Sequence, residues 1–209
     1  MDLSEASSAL VEAGARLSAE RLSPGTTGNL SIRVEEGLLC TGTGAELGAL
    51  SQADLSLLSL DGVLRDGPNP TKEVPMHLAM YAAAPSVAAV VHTHARHATA
   101  YGCLAGLDPH DAVRAMTPYL TMKLGRIGVV AYRPPGDAGL RPLIENAVAE
   151  GHRGLLLANH GTLVGDRSLA EAVSATVELE EATALSMLLH GRSVRYLTPG
   201  QVDELVARG

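Results

Sequence analysis

Apolar residues recur at helical spacing over positions 3–21: Leu3, Ala6, Leu10, Ala13 and Leu17 share one face, with Glu5, Glu12, Arg16 and Glu20 on the others. Ser23-Pro24-Gly25 ends that helix. The pattern then changes to alternation. Leu30, Ile32 and Val34 point one way, Glu35-Glu36-Gly37 makes a hairpin turn, and Leu38-Leu39-Cys40 returns. A strand over 55–60 turns at Asp61-Gly62 into Val63-Leu64, and Pro68-Asn69-Pro70 closes the unit. A second helix is expected from Thr71, as N-cap, to about Ala84, with Pro75 tolerated in its first turn. The apolar, partly β-branched run at 87–94 predicts a buried strand, followed by a helix over 95–104 and an irregular stretch over 108–119.

Farther on, Ile127, Val129 and Ala131 alternate as a strand. Pro134-Pro135-Gly136-Asp137 turns into a helix over 138–149, with Asp137 as its expected N-cap. The run 155–158 is a fully buried strand type, and Leu163-Val164 a short one. A long helix over 168–190 carries Leu169, Val173, Val177 and Leu185 on one stripe, and a short helix over 199–208 closes the chain. Strands and helices intermix, and several joins are hairpin-like. The expectation is an α/β protein with a mostly antiparallel sheet, one domain over 1–209.

Composition narrows the function. The chain has 209 residues, of which 46% are hydrophobic, so a packed core is expected and disorder is not. It has no Phe and no Trp, only five Tyr, which disfavours an aromatic platform for nucleic-acid bases. A net charge of −7 without a basic run disfavours nucleic acid and anionic membrane alike. No apolar run approaches the ~20 residues of a membrane-spanning helix. The opening Met1-Asp2-Leu3-Ser4-Glu5 has no basic segment leading into an apolar block, so a cytoplasmic location is expected. Cys40 and Cys103 are the only cysteines, too few for a disulfide scaffold, although counting does not exclude a bond between them.

The densest chemistry lies between Thr71 and His94. On a strand, His92 and His94 project from the same face, and two adjacent imidazoles chelate a divalent cation. Equally, such a pair can be two hydrogen-bonded core histidines or a solvated edge. His160, at the end of an apolar strand and before Gly161, is a candidate third ligand, or a histidine that only bonds within a turn. For His97 the alternatives are facing the metal or a packing role, and packing is favoured. Gly28-Asn29 and Thr43-Gly44 lie in two loops of small donors able to cradle an anion, or in ordinary turns. Lys72 sits at an expected helix N-terminus, where a cation is unfavourable unless an anion binds there too; a solvated lysine is the alternative.

Taken in order, Gly28-Asn29-Leu30-Ser31, Thr43-Gly44, Lys72-Glu73, His92-x-His94 and Asn159-His160-Gly161 resemble the motifs of the class II aldolase/adducin family over nearly the whole chain. The resemblance implies a three-layer α/β/α fold with a central, mostly antiparallel sheet, and a homotetramer with active sites between subunits. It implies that His92, His94 and His160 hold a zinc ion, with Mn²⁺ or Co²⁺ also suited to such ligands. Glu73 would be the acid/base and also touch the metal. Gly28, Asn29, Thr43, Gly44, Thr71 and Lys72 would hold the substrate phosphate, and Tyr119 would serve a neighbouring subunit's site. The substrate implied is a phosphorylated sugar acid or sugar. The stretches 70–81, 117–119, 132–137, 157–161 and 178–183 are most similar to the branch that decarboxylates 3-oxo-tetronate 4-phosphates. Fuculose-phosphate-type aldolases tend to carry two small hydroxyl residues where this chain has Thr71-Lys72. Ribulose-phosphate epimerases tend to carry Asp where it has Glu73. An adducin-like module without enzymatic activity would lack an intact metal set.

Overall fold

The computed structural model describes residues 2–208; Met1 and Gly209, the ends of the expected domain, lie outside the described residues. Eight strands form one sheet: β1 (Asn29–Val34), β2 (Gly37–Thr41), β3 (Leu55–Leu58), β4 (Leu64–Asp66), β5 (Ala89–Thr93), β6 (Gly128–Val130), β7 (Gly154–Leu157) and β8 (Gly161–Asp166). Their order is β4-β3-β2-β1-β5-β8-β7-β6, and every neighbouring pair is antiparallel except β6 with β7.

Side-chain alternation sorts the strands into two faces. Leu30 and Ile32 of β1, with Ala89 and Val91 of β5, pack under α1 (Leu3–Ala19), α3 (Arg96–Gly102), α4 (Pro118–Leu124) and α6 (Leu169–Leu188). Leu38, Val90, Leu155 and Leu163 face α2 (Val74–Ala83) and α5 (Leu140–Ala149). The result is helix, sheet, helix, as the family resemblance implied. α7 (Pro199–Val206) follows, capped by a reciprocal Thr198–Gln201 pair.

Four expectations are corrected. The stretch read as irregular up to Tyr119 contains the start of α4, which opens on Pro118 and buries Leu120 and Leu124. α2 begins at Val74, not at Thr71. The Thr71 N–H donates to the Thr41 carbonyl (3.1 Å) and Pro70 bridges Gly42, so Thr71 is tied to the end of β2, and the N-cap position falls to Glu73. Asp137 is not the N-cap of α5. That place falls to Gly139, whose N–H donates to Asp137 Oδ1 at 2.6 Å. β8 is six residues long where two were expected, because β5 and β7 pair with it on both sides and hold its glycines in the ladder. Cys40 and Cys103 are both free.

One buried carboxylate ties two helices. Glu180 of α6 accepts from the N–H groups of His97 (3.0 Å) and Ala98 (2.8 Å) and meets His97 Nδ1 at 2.8 Å. It therefore satisfies donors that the first turn of α3 leaves open. His97 belongs to this contact, in keeping with its reading as a packing residue. Glu180→Ala should strand these buried donors and destabilise the fold by about 2–3 kcal/mol in urea unfolding. An unchanged midpoint would contradict this role for the carboxylate.

Candidate metal centre and its cleft

β5, β8 and the turn before β8 bring three histidines to one end of the sheet. His92 is fully buried, opposite Asn29 on β1 and Leu163 on β8. His94 follows one residue beyond the end of β5, which stops at Thr93 rather than extending through 94. His160 sits in the tight turn joining β7 to β8, where Asn159 adopts φ +57° to reverse the chain. Glu73 precedes α2 at its N-cap position, yet its side chain makes no cap bond. It turns instead toward the imidazoles.

The four groups converge closely. Their ligand atoms all lie within 4.8 Å of one another. His92 Nε2 is 3.0 Å from His94 Nε2 and 3.2 Å from Glu73 Oε2, and His160 Nε2 is 3.1 Å from Glu73 Oε1. The three rings meet edge-on, with every pair of centroids 4.9 Å apart. His92 Nδ1 donates to the Thr162 carbonyl at 2.7 Å, which leaves the Nε2 lone pair bare and facing the cluster. Glu73 Oε1 is buried and has no aligned hydrogen-bond donor. Bare imidazole nitrogen and an unpartnered carboxylate oxygen, aimed at one point, fit a divalent cation.

Electrostatics agree with that donor set. Burial opposes charge on Glu73, but the nearness of His160 and His92 and the Asn29 amide outweigh it and hold the carboxyl well below the usual carboxylate range. Burial first, then the charges of His92 and His160, pull His94 down to about 4. Glu73 and His94 thus each favour the protonation state in which they would ligate.

The centre lies in an open cleft of about 280 Å³, which Glu73, His94 and His160 line together with all six expected phosphate residues and Pro135. Gly28 (φ +77°) lies so near β5 that a Cβ would come within 2.8 Å of the His92 carbonyl. The donor supply is narrower than the loop composition suggests. The N–H groups of Gly42, Thr43 and Thr71 are spent on Asp54, Asn69 and Thr41. Among the described residues, those of Gly28, Gly44 and Lys72 have no acceptor. The Asn29 side chain is also committed: its Nδ2 donates to Glu73 Oε2 (2.8 Å) and its Oδ1 meets His77 Nε2 (2.6 Å). Tyr119, on the first turn of α4, is 60% exposed and does not line this cleft.

Sequence reading passed over His77, Ser31 and Tyr81, which continue from Asn29 into the protein. Their spacing was the available signal. Glu73, His77 and Tyr81 recur every four residues on one helix face, and Asn29 and Ser31 alternate onto one strand face. A second group, His110, Glu150 and His152, also has ligand atoms within 4.8 Å. Two of its three members are solvent-exposed, and they pair with each other at 3.2 Å as a surface ion pair.

The sheet order, the three histidines and the neighbouring carboxylate define a metal-dependent class of small α/β enzyme. The chain belongs to the class II aldolase and adducin N-terminal domain family, whose model matches residues 8–187. The 3-oxo-tetronate 4-phosphate decarboxylase of Haemophilus influenzae is 41% identical over 88% of this chain and 88% of its own. The L-fuculose phosphate aldolase of Methanococcus maripaludis is 32% identical over 79% of this chain and 87% of its own. Among solved structures, YgbL of Klebsiella pneumoniae, a candidate aldolase/epimerase/decarboxylase, superposes with a TM-score of 0.94 at 41% identity, covering 98% of this chain and 99% of that one.

His94→Ala should leave the purified protein with a small fraction of one equivalent of divalent metal after dialysis. Full stoichiometry by elemental analysis would remove His94 from the ligand set. The metal-free protein should also lose stability in mild acid. His94 titrates at about 4 in the fold against 6.5 when free, so between these values the unfolded chain binds the extra proton and unfolding is favoured. Depression of Glu73 extends the same trend to lower pH. Urea midpoints at about pH 7 and about pH 5 should therefore fall toward acid, and equal midpoints would contradict the linkage.

Proposed function

We propose that this protein is a metal-dependent lyase that decarboxylates a 3-oxo-tetronate 4-phosphate to dihydroxyacetone phosphate and CO₂. The observation that carries this reading is the convergence of His92, His94, His160 and Glu73 at the floor of a cleft rimmed by anion-binding donors. The relatives named as such decarboxylases support the substrate class. Lys72 supports it too, as a cation at the rim where the family's fuculose-phosphate aldolases tend to carry a hydroxyl.

His92, His94, His160 and Glu73 would hold the cation, with zinc favoured by three imidazoles and Mn²⁺ or Co²⁺ as alternatives. The bound cation supplies electrostatic stabilisation of the negative charge that develops on the substrate. The chain's own groups then place and move a proton. The free N–H groups of Gly28, Gly44 and Lys72, the Thr43 and Thr71 hydroxyls and the Lys72 ammonium bind the phosphate. When the C1–C2 bond breaks, its electron pair passes into an enediolate and CO₂ leaves. Glu73 is charged in the free site, so it must collect a proton before delivering one. The substrate C2 hydroxyl supplies it, Glu73 returns it to C2, and solvent reprotonates the oxygen. Lys72 binding the departing carboxylate would oppose its loss, so its cation is assigned to phosphate.

Retro-aldol cleavage of a sugar phosphate is the second reading. It passes through the same enediolate, and the similarity to L-fuculose phosphate aldolase supports it. The working form is assigned as a cytoplasmic homotetramer in which Tyr119, exposed on α4, reaches a neighbour's site. An epimerase, a methylthioribulose-phosphate dehydratase and an adducin-like module are less well supported, the last because the metal set is intact.

CO₂ release from 3-oxo-tetronate 4-phosphate, coupled to assay of dihydroxyacetone phosphate, tests the reading. Product formed without an aldehyde partner is expected. Cleavage only of fuculose-type phosphates, with aldehyde release, would overturn it in favour of the aldolase. Glu73→Gln should keep its metal and lose about 100-fold or more in kcat, and a near-normal rate would remove Glu73 from proton transfer.

A further inference from the structure

Behind Glu73 a chain of hydrogen bonds runs into the space between the sheet and α2. Asn29 Nδ2 meets Glu73 Oε2 at 2.8 Å, and Asn29 Oδ1 meets His77 Nε2 at 2.6 Å. His77 Nδ1 meets the Ser31 hydroxyl at 2.6 Å, and that hydroxyl meets the Tyr81 hydroxyl at 2.9 Å. His77 is 1% exposed and Ser31 0%, so no bulk water competes for these bonds.

The direction of every bond follows from the first. A carboxylate only accepts, so Asn29 must turn its NH₂ to Glu73 and its carbonyl oxygen to His77. His77 must then carry its proton on Nε2. Its Nδ1 is left as an acceptor, which the Ser31 hydroxyl fills. Ser31 has one proton, already given to His77, so Tyr81 must donate to Ser31. Burial keeps His77 neutral, with a pKa near 3, and keeps the Tyr81 phenol protonated.

We propose that His77 is a positioning residue for this site: as the Nε2–H tautomer, selected by Ser31 and Tyr81, it locks the Asn29 amide in the flip that presents N–H to Glu73. The alternative flip would place a carbonyl oxygen against the carboxylate. The chain orients and does not conduct, because an amide in the middle has no readily exchanged proton to pass on. The inference rests on the functional reading only for its kinetic consequence; the tautomer is a property of the protein alone.

Two measurements test it. In ¹⁵N-histidine-labelled protein, His77, identified by the resonance lost in His77→Gln or displaced in Ser31→Ala, should show a protonated Nε2 and an acceptor Nδ1. It should not titrate between about pH 5 and about 8, and metal should move the resonances of His92, His94 and His160 far more than its own. An Nδ1–H tautomer or an imidazolium overturns the proposal. In kinetics, His77→Leu should lower kcat about tenfold with KM within about twofold and metal content unchanged. If His77 acts through Asn29, adding His77→Leu to Asn29→Ala should cost less than about twofold more. Losses that multiply, or a wild-type kcat in His77→Leu, overturn it. If His77→Leu does not fold, Ser31→Ala takes its place, with about a fivefold loss in kcat expected and an unchanged kcat overturning. A wild-type protein that turns over no phosphorylated sugar acid or sugar would overturn the functional reading and leave the tautomer result standing.

Discussion

His92 gives its Nδ1 proton to the Thr162 carbonyl at 2.7 Å, and the rest of the site follows from that bond. With Nδ1 committed, Nε2 is a bare lone pair 3.0 Å from a second imidazole nitrogen and 3.2 Å from a carboxylate oxygen. Like-signed electron density held this close in a buried place is unfavourable unless protons or a cation sit between. Protons offer poor compensation at His94, because burial and its neighbours depress its pKa. A divalent ion would satisfy all four groups together, and much of the local structure is arranged to hold them still.

That arrangement is a property of the sheet. Pairing of β5 with β8 sets His92 beside Leu163 and Thr93 beside Thr162, so β5 supplies a candidate ligand and β8 the carbonyl that orients it. The hydroxyls of Thr93 and Thr162 bond on the opposite face at 2.9 Å, which fixes the same register a second time. Pairing of β5 with β1 sets Asn29 opposite His92, and Asn29 carries the orientation across to Glu73. A slip of one residue would turn the histidine into the apolar layer under α1 and α6. The centre therefore inherits its precision from the most buried strands of the molecule, while the rim of the cleft is built from turns.

Local patterns were enough for the strand faces. Period-two alternation places His92 and His94 together and sends Thr93 the other way, as observed. What local pattern lacked was tertiary restraint. Thr71 has the chemistry of a cap, but its N–H bonds the Thr41 carbonyl and the N-cap position falls to Glu73. Donor-rich loops promised many free N–H groups, yet the Gly42–Pro70 bridge and its neighbours consume several. α4 escaped notice because a seven-residue helix opening on a proline carries little periodicity. Asn29 lines the cleft among the donor loops, and local pattern did not show that its side chain also bonds Glu73 and His77. That inward chain was readable from spacing, since Glu73, His77 and Tyr81 share a face of α2.

The two readings of the reaction differ in how many protons the protein must handle. Decarboxylation releases CO₂ from a carboxylate that has no proton to lose, so a single acid/base serving C2 is enough. Retro-aldol cleavage must also remove a proton from the hydroxyl of the departing aldehyde, which calls for a second group. Among the described residues, Glu73 is the only carboxylate lining the cleft, and Tyr119, which is exposed, does not line it. Under the proposed reaction, one subunit by itself carries the acid/base that losing CO₂ requires. The aldolase chemistry would need a group brought by another subunit, so the shared enediolate leaves the choice of reaction to what surrounds the metal rather than to its ligands.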